Sequence, residues 1–68
     1  MRYLLIFDLP KNHSVMRVKI NRLLKEIDAE KIQNSVWASE NLKEFTKIAI
    51  WIRNVGGTAQ VIEEKIIY

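Results

Sequence analysis

Met1-Arg2-Tyr3-Leu4-Leu5-Ile6-Phe7-Asp8-Leu9-Pro10 decides how the remaining residues are read. Residues 3–7 form an uninterrupted apolar and aromatic run, too short for a helix that buries itself. A β-rich run of that length, stopped by a proline, predicts a central strand covered on both faces. Pro10 has no N–H for a sheet ladder and keeps Leu9 out of the helical region, so the strand ends there. One carboxylate, Asp8, is left at the strand's mouth. Ends of central strands join a rigid scaffold to open loops, which makes Asp8 the first candidate for a functional residue.

Working outward, Lys11-Asn12-His13-Ser14 is a polar connector in which Ser14 or Asn12 suits a helix N-cap. From residue 15 to about 27, Met16, Ile20, Leu23, Leu24 and Ile27 recur at helical spacing and predict one stripe against a sheet. The opposite side carries Arg17, Asn21, Arg22 and Lys25, with Arg17 and Asn21 nearest the loop that follows Asp8. Asp28-Ala29 breaks this helix. Residues 30–33 and 35–38 then read as a short hairpin bent at Asn34-Ser35, with one continuous strand as the competing assignment. Ser39 suits the next N-cap, and Glu40 sits where a helix dipole favours an acid. The second helix runs to about residue 55 on Leu42, Phe45, Ile48, Ala49, Ile52 and Val55. Gly56-Gly57 supplies its left-handed stop. Residues 58–68 are β-branched, and Glu63-Glu64-Lys65 interrupts their alternation. One long bulged strand, or a fourth strand and a short fifth, both fit.

The order strand, helix, strand pair, helix, strand describes two right-handed β-α-β units. Folded together they give a single α+β domain over residues 1–68. The expected architecture is ferredoxin-like: βαββαβ, a four-stranded antiparallel sheet with both helices on one face. The other sheet face then has nothing in the chain to cover it.

Composition points the same way. Sixty-eight residues build a small, marginal core, and with no cysteine and one histidine neither disulfides nor a cysteine- or histidine-based metal site reinforces it. Self-association is the remaining device, and 49% hydrophobic residues with two tryptophans suit it. Trp51 lies off the centre of its helix stripe and is a candidate dimer contact, as is Trp37. The net charge of +3 favours phosphate backbones mildly. No stretch approaches the roughly 20 apolar residues of a membrane span, and the start does not read as a signal peptide. A cytoplasmic protein without a membrane partner is the expectation.

The pairing of Phe7-Asp8-Leu9-Pro10 with Ile32-Gln33-Asn34-Ser35-Val36-Trp37, around an amphipathic helix that carries arginine, resembles the small CRISPR-associated family known as Cas-two. The match covers about the first forty residues. The same pair is similar to the Cas-two-like domain of phenylacetate-type repressors. This sequence has Ala38-Ser39 where the Cas-two family commonly has Glu-Gly, and the family's C-terminal extension is expected to be shortened.

The resemblance implies a ferredoxin-like homodimer in which Asp8 of each subunit faces its mate and holds a magnesium ion. Asp8 would then be both metal ligand and catalytic residue of a metal-dependent endonuclease acting on DNA or RNA. Arg17 and Arg22 would contact phosphate, Ser35 would hydrogen-bond near the site, and the CRISPR integrase would be a partner in spacer acquisition. Two close carboxylates do require a hard cation or a proton between them. The alternatives are a non-catalytic dimerisation or DNA-backbone-binding module, as in the repressors, and a toxin-like RNase of the same fold. His13, alone among histidines, reads as a loop residue, and Tyr3 as a strand residue.

Overall fold

β1, Tyr3–Asp8, lies inside the sheet between β3 and β4, and everything else is arranged about it. The structure, a computed structural model, describes residues 1–65 and 67. After β1 come α1 (Ser14–Glu26), β2 (Glu30–Gln33), β3 (Val36–Ser39), α2 (Leu42–Asn54) and β4 (Thr58–Glu63). The strand order is β2-β3-β1-β4, and all three pairings are antiparallel. This is the ferredoxin-like α+β fold. The proposed fifth strand at the end of the chain involves Ile66 and Tyr68, which lie outside the described residues.

Strand alternation assigns each residue a face. Leu5 and Phe7 of β1, Trp37 of β3 and Ala59 of β4 are buried, and they meet Ile20 and Leu24 of α1 and Phe45, Ile48, Ala49 and Ile52 of α2 in one core. The stripes expected on both helices are therefore the packed ones, except at Leu42, the first residue of α2, which is 42% exposed. The even-numbered residues of β1 point the other way. Because both helices lie on one side of the sheet, a single chain covers only one face of β1, and the expected cover on both faces is corrected accordingly. Ile6 is 36% exposed and Ile62 43%.

Both N-caps differ from expectation. α1 is entered through His13, which makes no side-chain cap bond, while Ser14 is already helical. α2 is capped by Asn41, whose Oδ1 accepts the Glu44 N–H at 3.1 Å. Ser39 is the last residue of β3 instead, and its Oγ accepts the Asn41 N–H at 3.0 Å. The acid in the first turn of α2 is Glu44, not Glu40. At the far end of α2, Gly56 takes the left-handed conformation (φ 89°) that lets Gly57 turn directly into β4. Among the described residues, no helix is long and apolar enough to cross a membrane.

Candidate functional site

Two surfaces carry the side chains the sequence singled out, and they lie on opposite sides of the sheet. The first is the face without helices. Register places Ala38, Leu4 and Ile62 in one row across β3, β1 and β4, and Val36, Ile6 and Gln60 in the next. Asp8 pairs with Thr58 in a third row, at the C-terminal end of β1. Leu4, Ile6, Val36 and Ile62 thus form an apolar patch over the buried Ala38, with a polar corner at Asp8.

The opposite end of this patch is closed by Arg2. Its Nε and Nη2 donate to the two carboxylate oxygens of Glu64 at 2.6 and 3.0 Å, and its Nη1 donates to Glu30 Oε2 at 2.5 Å. The forked pair with Glu64 gives two parallel charge-assisted bonds, with planar geometry that only arginine supplies. Hydrogen bonding to Arg2 holds the Glu64 carboxyl below its usual range. The clamp's contribution is therefore present above the ordinary carboxylate range and lost as pH falls through the lowered folded-state value. Arg2 and Glu30 are solvated and Glu64 is only part-buried, so the clamp orients strand ends more than it stabilises the fold.

Ser35, in the β2–β3 turn, is brought to the same end of β1 as Asp8: its carbonyl accepts the Phe7 N–H at 3.0 Å. Its backbone is thus tied to the residue next to Asp8. Asp8 itself is exposed and has no hydrogen-bond or ion-pair partner among the described residues. Its corner offers a carboxylate, a hydroxyl from Thr58 and an amide oxygen from Gln60, all hard oxygen donors of the kind that suit magnesium. No group of three or more His, Cys, Asp or Glu residues that could hold a metal occurs among the described residues. One chain therefore supplies one carboxylate, and a magnesium ion at this corner would need further acidic ligands from outside the described residues.

The second surface is the outer side of α1. Residues 11–28 carry Lys11, Arg17, Lys19, Arg22 and Lys25 against Glu26 and Asp28, a net +3 that equals the charge of the whole chain. None of those five cations is in an ion pair among the described residues. At about 100° per residue, Arg22, Lys25 and the 58%-exposed Val18 lie opposite the buried stripe, with Arg17 and Lys19 at the two margins. Val18, Asn21, Arg22, Lys25 and Glu26 line a shallow open depression there.

Strand alternation turns Asp8 away from the helix layer, and α1 runs back from the Asp8 end, so that Arg22 is about 12 Å along the helix axis from its first residue while Arg17 stays within its first turn. The tryptophans are also relocated. Trp37 is 3% exposed within the core, on the helix-covered face, and Trp51 packs against the core from α2. Trp37 is thus a packing residue, while Trp51 is only partly buried; neither lies on the open face. Sequence reasoning missed Arg2, Thr58 and Gln60. The alternation Thr58-Ala59-Gln60-Val61 does reveal a polar outer side to β4, but only the register with β1 places that side beside Asp8.

No protein-family model matches this chain, and no curated protein matches it significantly.

Proposed function

We propose that two copies of this chain close over their open sheet faces, as in the Cas-two type, into a homodimer that binds the sugar-phosphate backbone of nucleic acid along α1. The observation that carries this reading is the charge distribution: the chain's entire positive excess sits on α1, unpaired among the described residues, while the opposite sheet face has Leu4, Ile6, Val36 and Ile62 at its centre. Phosphate contacts by lysine and arginine supply sequence-independent affinity, and an apolar face supplies association. In such a dimer the two α1 helices lie on the outside and the two Asp8 carboxylates lie inside.

A magnesium ion held there would neutralise the paired carboxylates and, with a phosphodiester in reach, polarise it for hydrolysis. What the chain itself contributes is one exposed acid per copy, set by β1 and in no ion pair among the described residues. The resemblance supplies the wider setting, spacer acquisition with the CRISPR integrase as partner, and expects an integrase coding region and a repeat array beside this one.

The separation of α1 from Asp8 favours one specific second reading: a backbone-binding dimer with no cleavage, as in the repressor domain. Asp8→Asn distinguishes the two. In the enzyme reading, magnesium-dependent cleavage of a DNA or RNA substrate disappears in the variant. In either reading, the affinity of Asp8→Asn for a DNA duplex, measured by fluorescence anisotropy, stays within about twofold of the parent, because the substituted side chain lies across the sheet from α1. A variant that cleaves as well as the parent removes the catalytic role, and one that loses duplex binding outright contradicts the assignment of binding to α1.

A further inference from the structure

The order β2-β3-β1-β4 leaves the sheet with two edges, and the chain protects them differently. An edge strand presents a row of unpaired N–H and C=O groups to any other chain. β2 is four residues long, carries Glu30 and Lys31, and loses its regular register between Lys31 and Gln33. Shortness, charge and a bulge each deter strand addition. β4 has none of these over most of its length. Thr58-Ala59-Gln60-Val61-Ile62 is uncharged, free of proline and in unbroken register with β1. A segment of that composition on an exposed edge is an association hazard.

The ladder fixes which backbone groups of β4 are open. In an antiparallel pair, opposed residues alternate between those that exchange both bonds and those whose backbone groups point away from each other. Glu64 N–H donates to the Arg2 carbonyl at 2.9 Å, and Phe7 N–H donates to Ser35 on the β3 side. By that alternation Ile62, Gln60 and Thr58 exchange bonds with β1, whereas Glu63, Val61 and Ala59 do not. The N–H and C=O of Ala59, Val61 and Glu63 therefore face outward. The first of these carbonyls is taken: Arg53 Nε and Nη2 both donate to the Ala59 oxygen, at 3.0 and 2.6 Å. Arg53 lies in the last turn of α2, where a basic side chain ordinarily serves the helix's own terminal carbonyls. Here it crosses to the next strand instead. The connection is close enough for this because residue 57 is glycine. A Cβ there would stand 2.6 Å from the Asp8 carbonyl oxygen and 2.7 Å from Ile52 Cγ2. Arg53 is in no ion pair among the described residues, so its full charge sits beside the open edge.

We infer that Arg53 guards the edge of β4 against strand addition. An added strand needs the outward groups of Ala59, Val61 and Glu63 as one continuous ladder. With the Ala59 carbonyl occupied, only Val61 and the charged Glu63 remain. To extend further, the incoming strand must break both bonds from Arg53 and desolvate or displace a guanidinium. That costs more than the one neutral bond gained in exchange.

Sedimentation velocity of the parent and its variants at matched concentrations tests this, since any assembly through the open face is common to all. Arg53 is exposed and outside the core, so Arg53→Ala should keep the far-ultraviolet circular dichroism of the parent. It should form larger species at protein concentrations about tenfold below any at which the parent does so. Arg53→Lys keeps the stem and the charge but not the fork. It should shift in the same direction by less, and it decides the matter if the alanine variant loses its fold. Adding Val61→Pro to Arg53→Ala removes an outward N–H while leaving the bonds between β1 and β4 whole, and should restore the parent's association state. Folded Arg53 variants that sediment as the parent does would overturn the inference. Larger species that persist after Val61→Pro would overturn it as well, because they would form through some surface other than this edge.

Discussion

In the dimer proposed above, Ile6→Glu should separate the two copies into monomers. Ile6 is at the centre of the open face, between Val36 and Gln60 and one position along the same face from Asp8. Covering the patch returns about 25 cal/mol for each Å² of apolar surface removed from water, against an association cost of several kcal/mol or more. The balance is narrow. A carboxylate at position 6 turns that gain into the burial of an unpaired charge, a penalty of about 3–5 kcal/mol, and two-fold symmetry imposes it twice. The expected rise in dissociation constant is at least about a hundredfold, visible by sedimentation equilibrium as loss of the dimer at micromolar concentration. The fold should survive, since position 6 is outside the core, and far-ultraviolet circular dichroism checks this. Ile62→Lys, in the neighbouring row, should act in the same direction. Persistence of the dimer in both variants would mean that another surface holds the copies together.

The second large effect concerns α1. Replacing Lys11, Arg17, Lys19, Arg22 and Lys25 together by glutamine removes five positive charges and takes the chain from its net +3 to −2. All five side chains are exposed and unpaired in the described structure, so the substitutions sacrifice no packing, and glutamine propagates a helix about as well as lysine or arginine. Duplex binding should vanish under conditions in which the parent binds. Single substitutions grade the effect: each of Arg17→Gln and Arg22→Gln should lower the slope of log affinity against log salt by about one if that side chain neutralises one phosphate. Neutralising Lys43 and Lys47 on α2 is the control for a general charge effect and should leave the slope unchanged. Equal losses from α1 and α2 would show that net charge, not this helix, drives binding.

Much of this architecture is legible in the residues, for physical reasons. Helical periodicity fixes the buried stripes of both helices, because a 3.6-residue repeat of Ile20, Leu24 and then Phe45, Ile48, Ala49, Ile52 has one way to face a sheet. Proline at position 10, Asp28-Ala29, Asn34-Ser35 and Gly56-Gly57 mark where elements stop. The N-caps were less readable, since Ser39 and Asn41 are both good caps. The choice fell to Asn41 because pairing of Ser39 with Tyr3 carries β3 through that residue. The run Leu4-Leu5-Ile6-Phe7 is apolar on both sides of the strand, so it looks the same whether its second side meets a helix or another chain.

The candidate site was legible only in part. Asp8 announces itself through the proline that follows, but its neighbour Thr58 is fifty positions away, and strand register is not written in local pattern. Tryptophan is a poor guide for a similar reason: size and aromaticity suit a core and an interface equally, and here Trp37 went to the core.

The central claim is that two Asp8 side chains meet at the symmetry axis. The chain contains no cysteine, so Asp8→Cys installs a single thiol per molecule at that point. Treated with a short bis-maleimide, this variant should form a covalent species of twice 8.0 kDa in high yield, while Thr46→Cys, on the exposed side of α2, should not. Failure of Asp8→Cys to cross-link at concentrations where the chain sediments as a dimer would place the two acids apart and contradict the account.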